Sequence, residues 1–133
     1  MNLLLDTHVW IWSQESPQEL GPVAQTALLD PENPILISTA STLEMARMVS
    51  LGRLSFTMDL GAWVERSIDL LHASTIPISH QIAIESYRLP EPFHRDPADR
   101  LLVATARLRA ARIVTADGLI LNYPHVLSID ARS

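Results

Sequence analysis

The sequence predicts an α/β fold, a three-layer α/β/α sandwich around a mostly parallel sheet of four to five strands. Short, mostly apolar runs at residues 2–5, 35–37 and 113–115 are typical of strands buried on both faces. These runs alternate with segments of helical periodicity, which is the pattern of a parallel sheet covered by helices. With 133 residues, 47% of them hydrophobic, the chain suits a single domain over residues 1–133.

The remaining elements follow from spacing and capping residues. Residues 75–78 contain a proline and are expected to form an edge strand or no regular strand, and residues 126–129 form the last strand. Residues 130–133 are expected to be a frayed tail. Helices or turns are predicted over residues 8–12, 20–29, 39–51, 59–71, 79–87 and 97–110.

Composition excludes several classes of protein. The chain has no cysteine, so disulfides, thiolate metal sites and thiol nucleophiles are excluded. No apolar run is long enough for a membrane span, and the first residues lack the basic start of a signal peptide. We therefore expect a cytoplasmic protein with no membrane partner.

The charge argues against broad attraction to nucleic acid, because the formal net charge is −5. All ten basic residues are arginines, however, and arginine suits bidentate phosphate contact better than lysine. A cluster of acids around a cation would also cancel part of the negative charge. The charge therefore weighs against a nucleic-acid substrate without excluding one.

A helix beginning near residue 97 places two carboxylates at its start. Asp96 can act as N-cap, Pro97 is pre-shaped for the first helical position, and Asp99 falls in the first turn. At 100° per residue, Asp99 stands at the head of an apolar stripe that contains Leu102 and Val103. An inward carboxylate is costly unless it is hydrogen-bonded, paired or bound to a metal.

Three further acids lie next to predicted strand ends or helix starts. Asp6 and Asp117 follow two buried strands, and Glu44 shares a helix face with Ala40 and Met48. Ligands of parallel sheets bind beyond the carboxyl ends of the strands, so Asp6, Glu44, Asp99 and Asp117 are expected to converge there.

Each acid also has a simpler interpretation. Glu44 can equally reach solvent or pair with Arg47, and Asp117 before a glycine suits an ordinary turn. Asp96 is most simply an N-cap, even if it also touches the site. The argument for a site therefore rests on the four acids together.

Clustered carboxylates repel one another unless a cation neutralises them. An all-oxygen set suits a hard ion, Mg²⁺ or Mn²⁺, which takes phosphate as a further ligand. A hard divalent ion held by carboxylates is typical of sites for metal-assisted phosphodiester hydrolysis.

Other polar and aromatic residues are given structural roles by default. The five histidines, including His8 and His94, are scattered without metal-ligand spacing, so surface or packing positions are expected. Arg95 and Arg100 could hold phosphate, face solvent or pair with Asp96. The three tryptophans are expected to pack in the core or at an interface.

Several motifs resemble the PIN-domain family, and within it the VapC-like toxins of type II toxin–antitoxin systems. The similar segments run through nearly the whole chain: residues 3–8 (LLLDTH), 38–44, 96–106 (DPADRLLVATA) and 114–117 (VTAD). Ala98 departs mildly from this branch, in which a bulkier residue is usual, so one packing contact differs.

The resemblance implies a Mg²⁺- or Mn²⁺-dependent ribonuclease with Asp6, Glu44, Asp99 and Asp117 as the acidic quartet and Asp96 as an accessory acid. All five are thus candidate metal ligands. It also implies a structured RNA substrate such as tRNA or rRNA, a homodimer, and a small antitoxin whose tail enters the active-site groove.

Two other functions stay open. A metal-dependent phosphohydrolase on a similar α/β fold would also place an Asp after its first strand, but His8 stands where such enzymes that use a phosphoaspartate usually have a second Asp. A non-catalytic PIN-like binding module would be marked by loss of one of the four acids, and none is missing.

Overall fold

The sheet of the computed structural model, which describes all residues 1–133, is five-stranded and entirely parallel. The strand order is β3-β2-β1-β4-β5, with β1 in the centre. The predicted α/β fold is therefore confirmed. The strands are β1 Asn2–Leu5, β2 Ile35–Ser38, β3 Ser74–Ile76, β4 Ala111–Thr115 and β5 Ser128–Asp130.

Helices cover both faces of the sheet. None of them has both the length and the apolar character that a membrane crossing requires. They are α1 Thr7–Glu15, α2 Pro22–Leu29, α3 Thr39–Ser50, α4 Leu60–Leu71, α5 His80–Glu85, α6 Pro97–Leu108 and α7 Gly118–Leu121, with a 3₁₀ turn over Pro17–Glu19.

The central strand separates two cores, because alternate side chains of a strand point to opposite faces. Leu3 and Leu5 pack with residues of α1 to α4, whereas Leu4 packs with residues of α5 to α7. All three leucines are fully buried. The short apolar run at the start of the chain therefore holds both helical layers to the sheet.

Two of the tryptophans belong to the core between α1 and α4, not to an exposed face. Trp10 and Trp63 are 0% and 4% exposed, and their ring centroids are 5.4 Å apart. Each indole nitrogen finds an acceptor: Trp10 donates to Ser67 Oγ at 2.9 Å, and Trp63 donates to Glu15 Oε1 at 3.0 Å. These hydrogen bonds allow the polar end of each indole to be buried.

The expected frayed tail is wrong, since residues 130–133 pack against the start of α2. Ala131 is fully buried, and its carbonyl accepts a hydrogen bond from the Gly21 amide at 2.9 Å. The Ser133 carbonyl accepts from the Val23 amide at 3.0 Å. The first amides of a helix lack partners within that helix, and the tail supplies them here.

Gly21 is required for this approach. A Cβ at this position would lie 2.1 Å from the Ser133 carbonyl oxygen, far inside contact distance.

Two predicted boundaries also move. Residues 17–19 form a 3₁₀ turn, so α2 begins at Pro22, a residue suited to the first helical turn. At the other end of the chain, α6 ends at Leu108 because Ala110 takes a left-handed conformation with φ of 49°.

Candidate active site

The first carboxylate of the site lies where β1 ends. Asp6 is 8% exposed, and its amide still donates to the Val114 carbonyl of β4 at 3.0 Å. Its Oδ1 accepts from the Thr7 amide at 2.7 Å, which makes Asp6 the N-cap of α1. Its Oδ2 accepts from Thr115 Oγ1 at 2.6 Å. Asp6 is therefore held by both oxygens at the carboxyl edge of the sheet.

The second carboxylate follows β4. The Asp117 amide donates to Thr115 Oγ1 at 3.0 Å, and Asp117 Oδ1 accepts from the Leu119 amide at 2.8 Å. Asp117 thus caps α7, as its position before a glycine suggests, and also stands next to Asp6 at the strand ends. Asp117 therefore occupies an ordinary capping position and also borders the site, so the two interpretations are compatible.

The start of α6 supplies two acids. Asp96 is the N-cap and its Oδ1 accepts from the Asp99 amide at 3.2 Å. Its side chain is exposed at the rim of the cavity, whereas the Asp99 side chain is only 15% exposed. Asp99 therefore turns inward, as the apolar stripe of α6 predicts.

Glu44 reaches the site from α3. A hydrogen bond of 3.0 Å from Thr7 Oγ1 to Ser41 Oγ joins α1 to α3 one turn earlier. Glu44 is half-buried and forms no ion pair with Arg47, which is exposed. Of the two interpretations of Glu44, the inward one agrees with the structure.

All five predicted acids border one cavity of about 390 Å³. The structure thus brings the predicted set together, and their role as metal ligands stays a prediction. A larger cleft of about 580 Å³ beside it is lined in part by Phe93, His94 and Tyr123 and contains no carboxylate, so the carboxylate chemistry belongs to the smaller cavity. The lining of the smaller cavity is Asp6, His8, Trp12, Glu44, Asp96, Asp99, Ala116 and Asp117.

The like charges of the cavity act most strongly on Asp99. Burial, followed by repulsion from Asp6, Asp96, Asp117 and Glu44, raises the pKa of Asp99 from 3.8 to about 8. Burial also raises the pKa of Asp6, against the hydrogen bonds from Thr115 and Thr7. No arginine forms an ion pair with any of these acids. The acids therefore lack a compensating arginine, and their oxygen donors fit a hard divalent ion.

The structure adds one residue that the sequence analysis assigned to packing or the surface. His94 Nε2 lies 3.2 Å from Asp99 Oδ2, and His94, Asp99 and Asp117 each offer one ligand atom within 4.8 Å of the others. The available signal was its place two residues before the N-cap of α6. Without regular metal-ligand spacing, that position alone does not distinguish His94 from the other histidines.

Arg100 is neither a phosphate-binding residue nor a partner of Asp96. It is 5% exposed, and its guanidinium points away from the cavity into the loop before α6. Its donors reach the carbonyls of Ser86, Phe93 and His94, and Glu91 Oε1 at 3.1 Å. A buried arginine needs such partners, and the loop supplies them. Arg95 is exposed and stays available for phosphate contact.

This chain is an α/β protein with a parallel sheet and a cluster of carboxylates at the carboxyl edge of that sheet. A model of the PIN domain matches residues 3–125, so the chain belongs to the PIN domain family. The resemblance stated from the sequence is confirmed.

Known relatives agree with this placement. Ribonuclease VapC22 of Mycobacterium tuberculosis is 30% identical over 123 residues, which are 92% of each chain. A solved structure of VapBC2 from Rickettsia felis, bound to a DNA fragment from its promoter, has a TM-score of 0.69 at 18% identity. The match covers 97% of this chain and 98% of the solved chain. A toxin–antitoxin complex from Klebsiella pneumoniae has a TM-score of 0.62 at 20% identity, with 98% of both chains covered.

Proposed function

We propose that this chain is a divalent-metal-dependent endoribonuclease and the toxin of a type II toxin–antitoxin pair. The observation that carries the proposal is the single cavity in which five carboxylates meet without a compensating arginine. The name of the relative from M. tuberculosis supports ribonuclease activity, and its similarity covers 92% of the chain, which we propose is a single domain over residues 1–133.

Asp6, Glu44, Asp99 and Asp117 would hold Mg²⁺ or Mn²⁺, with Asp96 as an accessory ligand at the rim. Their oxygen donors suit either ion, and their mutual repulsion would be relieved by it. When bound, such an ion supplies Lewis acidity, which favours ionisation of water near neutral pH and offsets negative charge on a phosphate.

The remaining residues position these acids. Thr7 and Thr115 fix the two oxygens of Asp6, and the Leu119 amide fixes Asp117. Asp99 holds a proton near neutral pH in the metal-free protein, because burial and its neighbours raise its pKa to about 8. It would release that proton as the ion binds.

The proposed substrate is a structured RNA of the tRNA or rRNA class, and the proposed place of action is the cytoplasm. The net charge of −5 favours a substrate recognised by local shape over one attracted by a broad basic surface. Exposed Arg95, next to the N-cap of α6, is the nearest candidate for a phosphate contact.

We also propose a small antitoxin partner and a homodimer. A groove of about 510 Å³, lined by apolar residues such as Ile11 and Met48 and also by Glu15 and Arg53, continues from the acidic cavity through the shared residues His8 and Trp12. An antitoxin segment in this groove would bring its tail to the cavity. Co-expression with its antitoxin should yield a stable complex that lacks ribonuclease activity, and the molar mass of the free chain should be that of a dimer.

The first test is cleavage of total cellular RNA by the purified, antitoxin-free chain with Mg²⁺, with Mn²⁺ and with chelator. Asp99→Asn should abolish cleavage, whereas Asp69→Asn on the exposed face of α4 should not. Fragments that survive the chelator or Asp99→Asn would refute the assignment. Cleavage of small phosphate esters but not RNA would favour the phosphohydrolase, and absence of metal binding would favour a non-catalytic module.

A further inference from the structure

We propose that His94 is a nitrogen ligand of the divalent ion at the acidic cavity. The inference rests on the proposed metal-dependent function and adds an imidazole to the oxygen ligands. It concerns a residue that the family resemblance leaves outside the acidic quartet.

The first observation is a buried nitrogen that makes no hydrogen bond. His94 Nε2 is buried and has no hydrogen-bond partner, although its side chain as a whole is 22% exposed. It lies 3.2 Å from Asp99 Oδ2 but outside hydrogen-bond geometry. A buried polar atom without a partner is costly, and a metal ion between imidazole and carboxylate would satisfy both groups.

The distances fit a shared ion. Around an octahedral ion with bonds of about 2.1 Å, neighbouring ligand atoms lie about 3 Å apart and opposite ones about 4.2 Å apart. The 3.2 Å between His94 and Asp99 is close to the first value. The ligand atoms of His94, Asp99 and Asp117 all lie within 4.8 Å of one another, which groups the three around one candidate ion position.

The loop holds the imidazole in place. Arg100 Nη1 donates to the carbonyls of His94 at 3.0 Å and Phe93 at 3.3 Å, and Arg100 is itself buried. The Phe93 ring packs on the imidazole with centroids 4.4 Å apart. A ligand fixed in this way loses little freedom when it binds a metal.

An imidazole also changes which ion the site prefers. Imidazole donors suit transition-metal ions, whereas Mg²⁺ prefers oxygen ligands and ordered water. The preference of the site for Mn²⁺ over Mg²⁺ should therefore decrease when His94 is replaced by glutamine.

The alternative nitrogen is His8, which lines the acidic cavity itself, whereas His94 lines the larger cleft beside it and reaches the acids through its contact with Asp99. The His8 side chain is exposed, next to Trp12 with ring centroids 6.1 Å apart. His8 is outside the set of ligand atoms that lie within 4.8 Å of one another. His8→Gln is thus the matched control for His94→Gln.

The test is electron spin echo envelope modulation of the Mn²⁺-loaded protein, which detects nitrogen bound directly to the ion. We expect ¹⁴N modulation in the wild type and in His8→Gln, its loss in His94→Gln, and Mn²⁺ affinity about tenfold weaker in His94→Gln. Wild-type protein labelled with ¹⁵N only at histidine should lose the ¹⁴N signal, which tests histidine ligation without any substitution.

The outcomes separate the two proposals. Bound Mn²⁺ without nitrogen modulation, or modulation lost only in His8→Gln, would overturn the role of His94 and leave the metal-dependent nuclease intact. Failure of the wild type to bind Mn²⁺ at all would overturn the proposed function together with this inference.

Discussion

Thr115 Oγ1 donates a hydrogen bond of 2.6 Å to Asp6 Oδ2, and so joins residues 109 positions apart in the chain. The same oxygen accepts from the Asp117 amide at 3.0 Å. One buried hydroxyl therefore sets the positions of both acids that follow the central strands β1 and β4. Its removal should affect stability and metal binding together.

Thr115→Val should destabilise the protein by about 1–3 kcal/mol, because the buried Asp6 carboxylate and the part-buried Asp117 amide each lose a partner. Urea unfolding measures this loss, and calorimetry should show weaker Mn²⁺ binding. Thr115→Ser keeps the hydroxyl and should retain Mn²⁺ affinity. If both variants bind Mn²⁺ like the wild type, the hydroxyl does not position the acids.

The metal-free protein should become less stable as pH rises from about 4 to about 8. The pKa of Asp99 is raised to about 8 in the folded state from an ordinary value of 3.8, so the folded state binds more protons than the unfolded state between these values. Stability is then fully present below the lower pKa and decreases by up to about 1.4 kcal/mol per pH unit. Denaturation in chelator at a series of pH values measures this, and a flat profile from pH 5 to 8 would contradict it.

Asp99→Asn should remove most of this pH dependence. The amide fills the same space without a charge that ionises against Asp6, Asp96, Asp117 and Glu44. At pH 8 the metal-free variant should therefore melt at a higher temperature than the wild type, although we expect it to be inactive. Asp69→Asn, at an exposed position on α4, should keep the wild-type slope. If stability falls equally with pH in all three proteins, a group other than Asp99 causes the pH dependence.

Mn²⁺ should raise the melting temperature more at pH 8 than at pH 5. At pH 8 about half of Asp99 is already ionised in the metal-free protein, whereas at pH 5 the ion competes with the proton on nearly all of it. Binding to the folded state alone must raise apparent stability, so the shift should grow with Mn²⁺ concentration. Near pH 7, binding should also release protons, measurable as a buffer-dependent heat. An equal shift at both pH values would mean that Asp99 is not a ligand.

The sequence predicts the sheet and the acidic set well, because both depend on local patterns. Apolar runs such as residues 2–5 specify strands buried on both faces, and the acids stand directly after them or at helix starts. The packed tail could not be predicted, since Ala131 has its partner at Gly21, far along the chain. The contact of His94 with Asp99 depends likewise on how the preceding loop folds.

The loop before α6 has no regular secondary structure, and the guanidinium of Arg100 supplies hydrogen-bond donors to its backbone carbonyls. The arginine is buried and donates to the carbonyls of Ser86, Phe93 and His94, whereas its ion-pair partner Glu91 has a side chain 66% exposed. Carbonyls left without a donor are costly, but an exposed ion pair contributes little. The three backbone contacts should therefore outweigh the salt bridge.

Arg100→Met should destabilise the protein by about 3 kcal/mol or more, because several carbonyls of the loop lose their donor at once. Glu91→Gln should leave the urea midpoint almost unchanged. Hydrogen exchange should show faster opening of residues 86–94 in Arg100→Met, and this variant should bind Mn²⁺ more weakly because His94 is no longer held. If Glu91→Gln lowers the midpoint as much as Arg100→Met, the ion pair, and not the backbone contacts, holds the loop.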